Sequence, residues 1–230
     1  DRSDWLQTLQ SIDGTDAAAW DALRGLANSR IDFLRTNRLD RVLLRLFGAE
    51  PPAHLATKPV RLAVLGASTV DHLLPGLRGG ALRRGLHLTT YVGDYGQYFQ
   101  ELNDPASALY DFRPTAILLS LDAASLLGAP NAAADADARR DTIDAAIERL
   151  RSLWRLALDA CQGQVIQQTV LPLAPSLAGS NEHRLPGSQR AMIDALNHRM
   201  REAADAEGVD ILALDSSISD DGIFAWHDPM

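Results

Sequence analysis

The spacing of apolar residues changes character near residue 60. Before it, Trp5, Leu6, Leu9, Trp20, Leu23 and Leu26 recur at helical intervals. Phe33, Leu34, Leu39, Val42, Leu43, Leu44, Leu46 and Phe47 continue the same period. No strand-like run interrupts them. Gly48 and the Pro51-Pro52 pair end the segment, since proline cannot continue a helix and glycine favours its end. Residues 1–50 therefore read as an α-helical N-terminal extension and 51–59 as a linker.

From Val60 onward, compact apolar runs alternate with amphipathic stretches. Val60–Leu65, Leu86–Val92, Thr115–Leu121, Val165–Val170 and Val209–Leu214 read as strands. Val70–Arg84, a short piece near Tyr98–Tyr110, Ala136–Ala160 and Gln189–Ala206 read as helices. Strands linked by helical crossovers build a parallel sheet covered on both faces. The expectation for 60–230 is an α/β domain, a three-layer α/β/α sandwich on a five-stranded, mainly parallel sheet. Alanine-rich Ala123–Ala138 is expected to hold a surface loop near the site.

Composition narrows the function classes. The net charge of -8, spread along the chain, argues against a nucleic-acid partner. Cys161 is the only cysteine, so an intramolecular disulfide and a Cys-x-x-Cys zinc site are both excluded. That usage fits a reducing, cytoplasmic setting. No stretch approaches the roughly 18 apolar residues of a membrane helix, and the polar N-terminus does not resemble a signal peptide.

In such sheets, ligands bind beyond the carboxyl ends of the strands, so the residues after each strand carry the candidate chemistry. Gly66-Ala67-Ser68-Thr69 follows the first strand. Ser68 has two readings. It is a nucleophile facing the positive end of a helix, or the cap of a Ser-x-x-Asp box ending at Asp71. A nucleophilic serine needs a base. His183 and His227 fall in loops at the site edge, whereas His54, His72, His87 and His198 fall in linker, helix or strand positions. Gly93 and Gly96 bracket an aromatic-polar loop. They either let a backbone N–H approach a substrate oxygen or simply permit the loop. Asp122 either orients a base or caps the following helix. Asn181-Glu182-His183-Arg184 forms a dense polar cluster ahead of Ser188, a second cap candidate.

Several of these stretches are similar to known sequences. Gly66-Ala67-Ser68-Thr69 resembles the first block of SGNH/GDSL hydrolases. Tyr91–Tyr98, Asn181–Ser188 and Trp226-His227-Asp228-Pro229 resemble the SGNH-like N-terminal region of FkbH-like proteins, over a span from about Val60 to the end together with the helical lead-in. The resemblance implies an SGNH/flavodoxin-like fold and a downstream haloacid-dehalogenase-type phosphatase domain. It also implies a role in polyketide-type biosynthesis, where a glyceryl group moves from a phosphoglycerate donor to an acyl carrier protein. The phosphatase signature Asp-x-Asp-x-Thr is not in the chain, so this reads as the N-terminal piece, with no metal or cofactor of its own.

The SGNH blocks are also altered. Ala67 stands where the hydrolases carry aspartate, Asp122 falls near their oxyanion asparagine, and Phe224 lies three residues before His227. A carboxylate at an oxyanion position repels the developing charge unless protonated. Three functions follow. The first is an acyl or glyceryl transferase domain with Ser68 as nucleophile, His227 as base and Asp228 or Asp122 orienting it. There, Gly93 and Asn181 are oxyanion donors, and Gly96 and Arg184 complete the substrate site. The second is a degenerate domain that binds the carrier protein, positions the phosphatase domain or mediates dimerisation, with the N-terminal helices and Arg139, Arg140, Arg149, Arg151 and Arg155 as a basic surface for an acidic carrier. The third is an esterase or deacetylase.

Overall fold

A computed structural model describes residues 2–48, 53–55, 57–129, 131–161, 163–173 and 176–222. Three helices lead the chain: α1 (Arg2–Ser11), α2 (Ala17–Ala27) and α3 (Phe33–Phe47). Asp16 and Asp32 start α2 and α3, and each carboxylate accepts a backbone N–H three residues on, at 2.9 and 2.8 Å. Such caps satisfy donors that the first turn leaves orphaned. Gly48, at φ 62°, closes α3.

The strands are β1 (Lys58–Gly66), β2 (Leu86–Val92), β3 (Ala116–Ser120), β4 (Gln164–Gln168) and β5 (Asp210–Leu212). They form one parallel sheet in the order β2-β1-β3-β4-β5, with helices on both sides. β3 is the most buried strand, Ala116 to Ser120 all being inside, as expected for a central strand covered on both faces. The intervening helices are α4 (Leu74–Arg83), α5 (Tyr98–Asn103), α6 (Ala108–Phe112), α7 (Ala123–Leu127), α8 (Ala136–Ala160), α9 (Gln189–Glu207) and α10 (Leu214–Asp221).

Two expectations change. Val209–Leu214 pairs only through Leu212, in register with Gln168 of β4, and Leu214 opens α10. Ser68 does not cap the helix after it. A 3₁₀ turn over Asp71–Leu73 comes first, then α4 with Pro75 in its first turn, and neither start has a side-chain cap. Proline's fixed φ suits that position, which moves the helix start past the Ser-x-x-Asp box.

Two compact units divide the chain: 1–63 with 69–92, and 64–68 with 93–230. The first gathers α1–α3 with α4 and β2. Its core contains Trp5, Leu9, Trp20, Leu23, Leu39 and Phe47, together with Leu82 from α4. A buried ion pair joins α3 to α4. The Arg78 guanidinium donates to both Asp40 oxygens at 2.6 and 2.7 Å and to Thr90 Oγ1 at 2.7 Å. His87 of β2 is buried, its ring stacked 6.1 Å from that of Trp20. Burial lowers its pKa, against a backbone hydrogen bond at Phe47 that raises it.

The second unit holds its polar core groups by satisfying them. Gln167, fully buried, donates to the carbonyls of Leu119 and Gln168 and accepts from Trp154 Nε1 at 3.2 Å. Asn197 on α9 clamps Val170, accepting its N–H and donating to its carbonyl, both at 2.8 Å. Arg201 forks onto Asp215 at 2.7 and 2.8 Å, and Thr169 Oγ1 donates to the same carboxylate. Burial raises the Asp215 pKa, but Arg201 and Thr169 outweigh it and the net shift is downward. These contacts fix the segment leaving β4 and the start of α10.

Candidate functional site

In the order β2-β1-β3, the chain leaves β1 toward one side of the sheet and enters β3 on the other. This is the topological switch point at which open parallel sheets bind ligands. Ser68 lies two residues past the end of β1 and is exposed. Ala67 N–H donates to Ser120 O at 3.0 Å, tying the β1 exit to the end of β3. No hydrogen bond engages Ser68 Oγ among the described residues, which leaves the hydroxyl presented to solvent.

The loop after β2 is folded against the same edge. Gly96 N–H donates to Gly66 O at 3.3 Å, and Gln97 N–H donates to Asp94 O at 3.0 Å. Gly96 has φ 68°, the positive value that the third residue of a type II turn requires. Gly93 has a different reason to be glycine. A Cβ there would lie 2.8 Å from Glu101 Oε1 and 2.9 Å from Leu65 Cδ2. The space goes to the Glu101 carboxylate, which accepts Asp94 N–H at 2.8 Å. Gly93 N–H itself donates to Val64 O at 3.2 Å, so this amide extends the strand pairing and does not face the site.

Asp122 follows β3 and caps α7, with Oδ1 accepting Ser125 N–H at 2.8 Å. Its carboxylate therefore serves the helix start. Asn181, His183 and Arg184 are exposed on a 3₁₀ segment over Gly179–Arg184. No described hydrogen bond links that segment to Ser68. The residue that organises it is Glu182. Its pKa is lowered to about 2 by the nearby Ser188 hydroxyl and by hydrogen bonds from Ala178 N–H and from Ser176. Ser176 Oγ lies 2.7 Å and Ala178 N 3.0 Å from Glu182 Oε2. In the sequence, Glu182 is legible as part of a polar cluster but not as its anchor. Ser188 does cap α9, accepting Ala191 N–H at 3.2 Å. His227 and Asp228 lie outside the described residues.

A cavity of about 560 Å³ opens beside the segments following β2 and β3, within the size range of ligand pockets. Tyr98, Phe99, Leu121, Leu126, Leu150 and Leu153 give it an apolar lining. Most of the polar groups in its wall are already engaged. Arg149 donates to Leu126 O, Ser125 to Asp122 O, Ser152 to Glu148 O, and Glu148 pairs with Arg151. Such a wall suits a largely apolar ligand, with the Arg149 guanidinium, met only by a backbone carbonyl among the described residues, as a charged group at its side. Among those residues, too, no three His, Cys, Asp or Glu side chains converge as metal ligands, and no helix is long and apolar enough to cross a membrane.

The model of the FkbH N-terminal domain matches residues 61–225. The chain belongs to this family. The leading helices α1–α3 precede the matched span. No curated protein sequence matches the chain. Among solved structures, it is similar to the N-terminal part of BF1531 from Bacteroides fragilis, which contains a phosphatase domain and was determined with Mg. Identity is 18% and the TM-score 0.59, over 88% of this chain and 47% of that one. It is also similar to BT4096, a gut microbial diltiazem-metabolizing enzyme, at 10% identity and a TM-score of 0.50, over 70% of this chain and 38% of that one. The chain thus spans less than half of either neighbour, and at these identities the likeness concerns the fold.

Proposed function

We propose that this domain takes part in transferring a glyceryl or related acyl group to an acyl carrier protein, with Ser68 as the acyl acceptor. The observation that carries the reading is Ser68 itself. It is an exposed hydroxyl with no hydrogen-bond partner among the described residues, at the switch point of the sheet. The largely apolar cavity beside the segments following β2 and β3 supports an acyl thioester as donor. In this reading, Ser68 Oγ attacks the thioester carbonyl and its proton passes to His227, oriented by Asp228. The thiolate leaves and takes up that proton. The carrier thiol then receives the acyl group from Ser68 by the reverse sequence. Asn181 and Arg184 are the exposed polar groups available to the substrate. Gly93 N–H and the Asp122 carboxylate, engaged elsewhere, have no part in it. The family relation supports a phosphatase domain working with this one in the whole protein.

The test is intact-mass analysis after incubation with a glyceryl or short acyl thioester. The expected result is a single adduct that maps to Ser68 and disappears in Ser68→Ala. A folded protein that never forms an adduct with any such thioester refutes the assignment.

One observation favours a second reading. No described histidine is bonded to Ser68: His54 contacts Thr15 O, His198 pairs with Glu202, and His87 is buried. A domain without a working base would serve as a docking module. It would bind a carrier protein equally well with or without the substitution Ser68→Ala.

A further inference from the structure

Helix α3 buries Leu39, Asp40, Leu43 and Phe47. Its opposite side carries Leu34, Arg38, Arg41 and Arg45, spaced at i, i+4, i+7 and i+11, all exposed. That spacing aligns them in one stripe along the helix. Phe33 and Leu34, at its N-terminal end, are 65% and 67% exposed. A shallow groove between α1 and α3 runs beside the stripe, with Leu6, Leu9 and Val42 in its wall and the three arginines along it.

This stripe differs from the exposed faces of the two long helices. On α8 and α9, three exposed arginines are matched with carboxylates: Arg140 with Asp137, Arg155 with Glu207, and Arg199 with Asp144. Arg38, Arg41 and Arg45 form no ion pair among the described residues. Like charges three and four residues apart weaken a helix, and the chain as a whole carries -8. Positive charge is therefore gathered, unneutralised, on one helix of an acidic protein, next to two large and mostly exposed apolar side chains.

We infer that the exposed face of α3 is a docking surface for an acidic protein partner, and that the partner is the carrier protein of the proposed reaction. The three arginines meet acidic side chains of the carrier, and Phe33 and Leu34 supply the apolar anchor. Long-range attraction from such a stripe speeds encounter and orients the partner, while buried apolar anchors slow its release. The inference rests on the proposed function only for the identity of the partner.

The experiment measures binding of a purified holo acyl carrier protein of net negative charge to the full 230-residue chain by fluorescence anisotropy, at two salt concentrations. The triple variant R38E/R41E/R45E is expected to bind at least about 10-fold more weakly and to lose most of the salt dependence. F33A/L34A is expected to weaken binding while keeping the salt dependence. Circular dichroism confirms folding, and R38Q/R41Q/R45Q provides a milder variant in case the reversal does not fold. S68A should bind normally yet form no adduct, which separates this surface from the chemistry. Equal binding by wild type and the charge variants overturns the inference, as does no binding by any form. So does arginine-dependent sedimentation with anionic phosphatidylglycerol vesicles in the absence of carrier binding.

Discussion

Replacing Arg78 with methionine removes one of the most constrained ionic contacts in the protein. The guanidinium makes three bonds of 2.6 to 2.7 Å, two to Asp40 and one to Thr90, and the paired side chains are 10% and 6% exposed. Methionine preserves much of the volume but leaves the Asp40 carboxylate buried without a counterion. Breaking a buried pair from one side costs about 3–5 kcal/mol. For a chain of this size, that corresponds to a fall in Tm of about 6–20 °C. The double variant R78M/D40L removes both charges together. It should recover most of the loss, because a well-packed apolar pair is often as stable as the ion pair it replaces. Urea denaturation of wild type, both single variants and the double variant gives the coupling directly. A loss below about 1 kcal/mol in R78M, or a double variant no more stable than the single one, would show that the pair is not held in a dry interior.

Four further outcomes follow. Gly93→Ala should cost about 1–3 kcal/mol by overpacking, because its methyl group collides with Glu101 and Leu65; adding Glu101→Ala should restore part of it in a thermal melt. Asn197→Leu should orphan Val170 N–H and its carbonyl at about 1–3 kcal/mol each, and accelerate hydrogen exchange at Val170. Burial lowers the His87 pKa, so the unfolded chain takes up the proton first. Its contribution should be complete above the ordinary 6.5 and decline as pH falls toward the lowered value; a pH series of denaturation midpoints checks this, and His87→Phe should flatten the slope. Glu182 titrates at about 2, so its anchoring should hold above the ordinary 4.5 and fade as pH drops toward 2. Glu182→Gln should expose residues 176–188 to faster proteolysis at neutral pH.

Much of the architecture can be read from periodicity alone. β2 and α8 fall on Leu86–Val92 and Ala136–Ala160, as their runs indicate. The difficulties arise where one signal serves two structures. Val209–Leu214 is one apolar run, yet pairing stops at Leu212 opposite Gln168, and the remainder turns into α10. The Ser-x-x-Asp box at Ser68 is a sound capping pattern. Local sequence cannot show that a 3₁₀ turn and Pro75 will move the helix start beyond it. The polar anchors are illegible for a different reason. Asp40 and Asn197 occupy polar positions within amphipathic helices, where a solvated face is the ordinary reading. Their partners, Arg78 and Val170, lie 38 and 27 residues away in sequence. At the site, the motif letters mark the right segments. They do not reveal that Gly93 makes room for a carboxylate or that Asp122 serves a helix start.

The division of the chain into units bears on where this domain can be cut. Similarity to the family begins at Arg61, but the first unit also contains α1–α3. Trimming to the matched span would strip Asp40 from Arg78, Trp20 from His87, and most of the apolar neighbours from Leu82. A border drawn by sequence likeness would thus pass through the middle of a packed interior. Any portable version of this domain must carry its leading helices, and homologues with diverged lead-in segments should keep three helices there, whatever their sequence.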